Sequence, residues 1–223
     1  MPFAKSQLIT LERKPHFADE SFRSIRTQID FLAVPSPIKS ILVTSAVAES
    51  GKSFVAANLA TVMAQTGRKV ILVDADLRRP RLHAIFSCPQ TPGFTTAISK
   101  KLPITNVLHE TPIPNLKILP SGPLPPNPVE LLASPPAHDA LQQLSQQADL
   151  IVLDTSPAIA VTDAILLSHM VDGVLYILRP GHNSRKLDRR AIELLTQVHA
   201  RLLGVIVNGM RADDEASDYA MSY

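Results

Sequence analysis

Tryptophan is absent from this chain of 223 residues, and only 4% of its residues are aromatic. The core must therefore be mostly aliphatic, and stacking platforms for nucleic acid are not expected. Cysteine is almost absent too: Cys88 stands alone. No disulfide can form within the chain and no cysteine-based metal cluster can be built, so a reducing compartment and a buried, inert thiol are expected. A charge excess is also missing. The 22 Lys and Arg against 20 Asp and Glu leave a formal charge of +2, too little for a whole-surface attraction to nucleic acid or to a membrane. No apolar run reaches the roughly 18 residues that a membrane-spanning helix needs. The start, "MPFAKSQLITLERKPHF", has no apolar signal-peptide core. The expectation is a cytoplasmic globular protein whose membrane association would need a partner. The 7 histidines are scattered without metal-ligand spacing.

Hydrophobic residues make up 45% of the chain and charged ones 19%, an ordinary globular balance with enough length for one sizeable α/β core. Residues 1–17, with Pro2 and Pro15, show no period and read as a flexible arm. In "DESFRSIRTQIDFL", Phe22, Ile25, Ile29 and Leu32 form one apolar stripe, which predicts a helix with Asp19 as its N-cap and an end at Pro35–Pro37. From residue 39 onward strand and helix alternate. "SILVTS", "KVILVDAD", "LKILPSG", "LIVLDTSP", "GVLYILRP" and "LLGVIVNG" are buried-strand runs. Helices are predicted over 53–67, 129–147, 162–170 and 184–202. This pattern is a doubly wound α/β domain over residues 18–211, a mostly parallel sheet flanked by helices. The last stretch, residues 212–223, is acidic and small, carries Tyr219 and Tyr223, and is expected to be mobile. Tyr176 falls on a buried strand and reads as core.

The chemistry begins at "SAVAESGKS", residues 45–53. It follows a strand, opens a helix, and nearly spells the phosphate loop G-x-x-x-x-G-K-[ST], which turns backbone N–H groups toward an anion at a helix N-terminus. Gly51, Lys52 and Ser53 are present. Ala46 replaces the first glycine, which costs little if its φ is negative, and Glu49 is tolerable if its side chain points outward. The lysine would reach the phosphates and the Ser53 hydroxyl would bind Mg²⁺. Two buried strands then end in acids: Asp74 and Asp76 on one, Asp154 on the other. In parallel α/β sheets ligands sit beyond the carboxyl ends of the strands. The three acids should therefore converge near Lys52 and Ser53, as a Mg–nucleotide site needs.

This combination resembles the bacterial tyrosine kinases, P-loop-type protein kinases of capsule and exopolysaccharide assembly. Their Walker A loop corresponds to Ala46–Ser53. Their second acidic motif, apolar-D-x-D-x-R, corresponds to "ILVDADLR" with Asp74, Asp76 and Arg78, and their Walker B acid to Asp154 in "LIVLD". "ESFRSIR" matches the family's E-x-x-R-x-x-R as Glu20, Arg23 and Arg26, and "LPSGPLPPNPVELL" resembles its proline-rich segment. The resemblance covers roughly residues 18–210. Two departures stand out: Ala48, Glu49 and Ser50 replace the family's P-G-E before the G-K-S, and only Tyr219 and Tyr223 stand where the family has a dense tyrosine cluster.

The resemblance implies transfer of the ATP γ-phosphoryl group to tail tyrosines of a neighbouring subunit, with Tyr219 and Tyr223 as acceptors. It implies a nucleotide cradle over Ala48–Phe54 (Ala48, Glu49, Ser50, Gly51, Lys52, Ser53 and Phe54), with Asn208 placed to approach the adenine. Mg²⁺ would be held by Ser53, Asp76 and Asp154. Lys52, Asp74, Asp76 and Asp154 would be catalytic, Asp74 being the expected base, although the sequence does not separate the roles of Asp74 and Asp76. Glu20, Arg23 and Arg26 would form the contacts of a homo-oligomeric ring. A membrane-embedded polysaccharide co-polymerase would lend a cytoplasmic segment as activator and hold the kinase at the inner face of the membrane. The basic run Arg185, Lys186, Arg189 and Arg190 reads as a solvated face. Two other readings compete: a partition or cell-positioning ATPase of the deviant-Walker type, which would carry a lysine where Ser45-Ala46-Val47 stand, and a nucleotide-binding scaffold without turnover.

Overall fold

The computed structural model describes residues 8, 10, 17–34 and 36–210. Six of its strands are parallel: β1 (Ser40–Ser45), β2 (Val70–Asp74), β4 (Leu116–Leu119), β5 (Leu150–Asp154), β6 (Gly173–Leu178) and β7 (Leu202–Val207). A short strand, β3 (His109–Glu110), runs antiparallel on the β4 edge. The order across the sheet is β3-β4-β2-β5-β1-β6-β7. The strands read as continuous apolar runs because both faces of the sheet are covered. On β1, Ile41 and Val43 join the same core as Val70, Leu72 and Val152, while Leu42 joins Ile71, Val73, Ile151 and Leu153 on the other side. This is the period of two that a pleated strand imposes.

The first core is covered by α2 (Lys52–Ala64), a helix buried on nearly all sides, with α1 (Phe17–Leu32) packed on it. Phe22 of α1 meets Phe54 of α2 edge-on, ring centres 6.0 Å apart. The short α3 (Leu82–Ile85) adds Leu82 and Ile85 to the same core. The second core is covered by α4 (Phe94–Lys100), α5 (Pro128–Leu132), α6 (Pro135–Gln147), α7 (Asp163–Ser168) and α8 (Arg185–Gln197). Each fully buried Leu, Ile or Val contributes about 1.5–3 kcal/mol to this packing. No helix among the described residues is long and apolar enough to cross a membrane.

Several elements differ from expectation for local reasons. The first helix begins at Phe17, so Asp19 lies inside its first turn and pairs with Arg23 one turn on instead of capping it. Within the segment read as an arm, Leu8 and Thr10 are buried, and Thr10 is hydrogen-bonded to Asn58 of α2 and to Gln65 just after it. The predicted helix over 129–147 is two helices. Pro135 has no N–H to continue α5 and holds Ser134 extended, at φ −75° and ψ 150°, so the chain restarts as α6. The predicted helix over 184–202 stops at Gln197, where His199 turns left-handed (φ 56°) and Ala200 N–H closes on the Leu195 carbonyl. Cys88 is half-buried, and burial pushes its thiol pKa up, which keeps it protonated. Tyr176 is fully buried, its hydroxyl donating to Asp188 at 2.6 Å. Arg185, Lys186, Arg189 and Arg190 are all exposed.

Candidate active site

The strand order places β1 between β5 and β6, and the chain leaves β1 for β2 on one side while β6 and β7 lie on the other. Such a reversal opens a crevice beyond the carboxyl ends of the strands. A cavity of about 620 Å³ lies there, lined on one side by the loop after β1 and by Lys52, Ser53 and Phe54, and also by Asp76, Ser156 and Arg78.

The loop closes without its first glycine. Ala46 is buried and is absent from the positive-φ residues, so its methyl group costs little. Glu49 takes the left-handed conformation, φ 62°, with its side chain exposed. This is the position where the resembling kinases carry glycine, and an L-residue there costs roughly 1–2 kcal/mol. Three consecutive carbonyls are held from outside the loop. Arg179 Nη1 donates to the Glu49 carbonyl at 2.8 Å, and Asn208 Nδ2 to the Ser50 carbonyl at 2.9 Å. His182 Nε2 lies 2.8 Å from the Ala48 carbonyl. Inside the loop, Ser50 Oγ donates to the Val47 carbonyl at 3.0 Å. Carbonyls fixed outward leave the opposite face of the loop to its N–H groups. Gly51 sits at φ 92°, and a Cβ there would lie 2.0 Å from Asn208 Nδ2. Its requirement is thus imposed by the protein itself.

The acidic side is assembled by strand register. Asp74 and Asp154 are direct partners at the ends of β2 and β5. Both are fully buried. Asp74 Oδ2 accepts the N–H groups of Arg81 (3.1 Å) and Leu82 (2.9 Å), but Oδ1 has no partner, and neither oxygen of Asp154 has one. Burial, then the neighbouring Asp154 charge, raises the Asp74 pKa well above the usual carboxylate range. Burial pushes Asp154 up to about 7. The Lys52 ammonium and the nearby Ser53 hydroxyl oppose the rise, although no hydrogen bond of good geometry reaches the carboxylate. Asp76 faces the cavity, and its Oδ1 accepts from Arg78 N–H, Arg79 N–H and the Ser156 hydroxyl.

Unpartnered, buried carboxylate oxygens beside a hydroxyl and an ammonium are hard oxygen donors of the kind a cation can satisfy. Among the described residues no cluster of three or more His, Cys, Asp or Glu side chains is arranged to hold a metal by itself. The donor set fits Mg²⁺ that keeps water and phosphate oxygens in its shell.

The site contains members that the sequence did not flag. Asp163, at the start of α7, is fully buried and grips Arg78 with two bonds, 2.8 Å to Nε and 3.1 Å to Nη2. Ser156 Oγ bridges to it at 3.3 Å, so Asp76, Ser156, Asp163 and Arg78 form one network. Asn208, expected near the adenine, bonds the loop backbone. Phe54 lines the cavity from α2. Glu20 and Arg23 are exposed on α1 and Arg26 is partly so, and none of them lines this cavity. Tyr219 and Tyr223 lie outside the described residues.

Residues 38–218 match the ParA family, described as NUBPL iron-transfer P-loop NTPase. The chain is 37% identical to tyrosine-protein kinase YwqD of Bacillus subtilis (strain 168) over 92% of this chain and 86% of that protein. It is 36% identical to the putative tyrosine-protein kinase CapB of Staphylococcus aureus over 96% and 94%. The solved chimerical protein CapA2B2 superposes with a TM-score of 0.88 at 36% identity, covering 92% of this chain and 90% of that one.

Proposed function

The chain belongs to the bacterial tyrosine-protein kinases, within the ParA-type P-loop NTPases, and from that premise we propose that it passes the γ-phosphoryl group of ATP to Tyr219 and Tyr223 of a neighbouring copy. The observation that carries this reading is the meeting of Lys52, Ser53 and Asp76 at one strand-end cavity, with Asp154 buried near Lys52 and Ser53 and paired in register with Asp74, both acids keeping unpartnered oxygens. In the step, the phenol oxygen bonds to the γ-phosphorus while the bond to the β,γ-bridging oxygen breaks. ADP leaves with that electron pair, and the phenol proton passes to a carboxylate.

Phosphoryl transfer is accelerated chiefly by positioning and charge neutralisation. Loop N–H groups and Lys52 bind and orient the phosphates. Ser53, Asp76 and Asp154 would hold Mg²⁺, which would supply further positive charge to neutralise the transferred group. Asp74 is the proton acceptor: its raised proton affinity brings it nearer to a phenol, whose usual pKa is about 10, and its Oδ1 is free. Its burial means that the contact forms in the loaded site, as catalytic contacts commonly do.

Glu20, Arg23 and Arg26 form the contacts of a homo-oligomeric ring, supported by the exposed Phe31 in the last turn of the same helix and Val34 just beyond it (each 76% accessible). Each phosphate adds about −1.5 to −2 charges, so tail phosphorylation loosens the ring and regulates exopolysaccharide or capsule polymerisation and export. The activator is a membrane-embedded polysaccharide co-polymerase with a cytoplasmic segment, which keeps the kinase at the inner face of the membrane. The test is incubation of the pure protein, with and without that segment, in Mg-ATP, followed by mass spectrometry for phosphotyrosine. Modification of Tyr219 or Tyr223 that is lost in Lys52→Met is the expected result. ATP hydrolysis without phosphotyrosine would instead give the partition-type ATPase, and nucleotide binding with neither the scaffold.

A further inference from the structure

The segment from Asp76 to α3 carries Arg78, Arg79 and Arg81, all lining the cavity. They are not equivalent. Arg78 is committed to the buried Asp163. Arg79 and Arg81 are exposed and have no ion-pair partner among the described residues. Their backbones are fixed by the site's own acids: Arg79 N–H bonds Asp76 at 3.0 Å and Arg81 N–H bonds Asp74 at 3.1 Å. Two unpaired guanidinium groups thus stand on a braced loop within one side-chain length of the acids that an acceptor hydroxyl must approach. The phosphates have their own cradle at Gly51–Ser53, so these arginines are left for another anion. Guanidinium groups pair with carboxylate and phosphate alike.

The chain holds such an anion. Asp213, Asp214, Glu215 and Asp218 all precede Tyr219, whereas no acid lies between Tyr219 and Tyr223. We propose that Arg79 and Arg81 form a subsite for acidic residues on the N-terminal side of the acceptor tyrosine, so that Tyr219 is modified first and its phosphate then serves Tyr223. The inference rests on the kinase reading above and names the acceptor class of that same site. The spacing supports the order. Glu215 lies four residues before Tyr219, and Tyr219 lies four before Tyr223, about 13 Å in an extended chain. A phosphate at Tyr219 therefore occupies, for Tyr223, the place that Glu215 occupies for Tyr219.

Fluorescence anisotropy of a labelled peptide, RADDEASDYAMSY, with the protein and Mg-ADP reads the subsite without needing turnover. An analogue with Asn or Gln at the four acids should bind about ten-fold more weakly, as expected for two exposed ion pairs. The Arg79→Ala/Arg81→Ala variant should bind both peptides at the weaker level, with nucleotide affinity unchanged. A variant that keeps the preference, or that loses nucleotide affinity instead, overturns the proposal. In a mass-spectrometric time course, Tyr219 should be phosphorylated before Tyr223, and a peptide carrying phosphate at Tyr219 should be modified at Tyr223 several-fold faster than the Tyr219→Phe peptide. Equal rates overturn the order. Absence of phosphotyrosine on every peptide, with the activating segment present, would overturn the kinase reading itself, and anisotropy would still decide the subsite.

Discussion

On the loop side of the cavity, the carbonyls of Ala48, Glu49 and Ser50 each have a side-chain partner contributed by the chain beyond β6 or β7. On the acidic side, Asp74 Oδ1 and both oxygens of Asp154 have none. One half of the site is satisfied by the protein, and the other keeps buried acceptors without a partner among the described residues. The difference has a physical logic. A loop that binds phosphate through its N–H groups must have its carbonyls satisfied elsewhere before the anion arrives. Carboxylates that are to hold a cation gain from staying bare, at the cost of raised proton affinity while they wait.

The comparison can be broken from either side. The largest effect is expected from Lys52→Met, which removes the charge that both halves share: phosphotransfer, scored as phosphotyrosine, should fall about 10²–10³-fold. Next comes pH. The Asp154 pKa is about 7 in the folded protein against 3.8 for the ordinary group. The folded state therefore binds the extra proton, and stability without nucleotide should fall as pH rises from about 4 to 7 and level off above, by on the order of 3 kcal/mol. Melting temperatures across this range should show the slope, and Asp154→Asn should reduce it, leaving the part of the same sign that the raised Asp74 contributes. A slope of opposite sign would mean that the carboxylate is already satisfied. Mg-nucleotide, which favours the ionised form, should bind more tightly up to about pH 7.

On the loop side, Gly51→Ala should cost nucleotide affinity by roughly ten- to hundred-fold, since strain at φ 92° adds to the overlap with Asn208. Adding Asn208→Ala should restore part of that loss by removing the overlap. Asn208→Ala alone deletes one carbonyl partner and should weaken binding about five-fold in a titration with fluorescent nucleotide. The smallest change is expected from Glu49→Gly, which relieves the left-handed strain and should tighten binding by a few-fold at most.

What could be read from the sequence follows from what leaves a local trace. Alternating strand and helix patterns, and acids at strand ends, repeat at short range, so the sheet and the positions of Asp74, Asp76 and Asp154 were legible. The condition on Ala46, a φ outside the positive range, is met; Glu49 is exposed but still lines the cavity. The break at Pro135 was legible in principle, because proline writes its effect onto Ser134. Asp163 was not legible. It sits at the start of an ordinary short helix, and its partner Arg78 is 85 residues away. Arg179 and His182 were hidden in the same way, as loop residues with no period. Asn208 was singled out for its place at a strand end, and its contact with Ser50 was beyond reach because no pattern links residues 158 apart.

That separation has a consequence for how the protein comes into being. The loop is made early in synthesis, but the side chains that hold it arrive 130, 134 and 158 residues later. A chain emerging from the ribosome can form β1 and α2 with the loop between them still slack. Its grip on phosphate is completed only when the last strand docks, so an interrupted chain carries the full loop sequence without a finished nucleotide site.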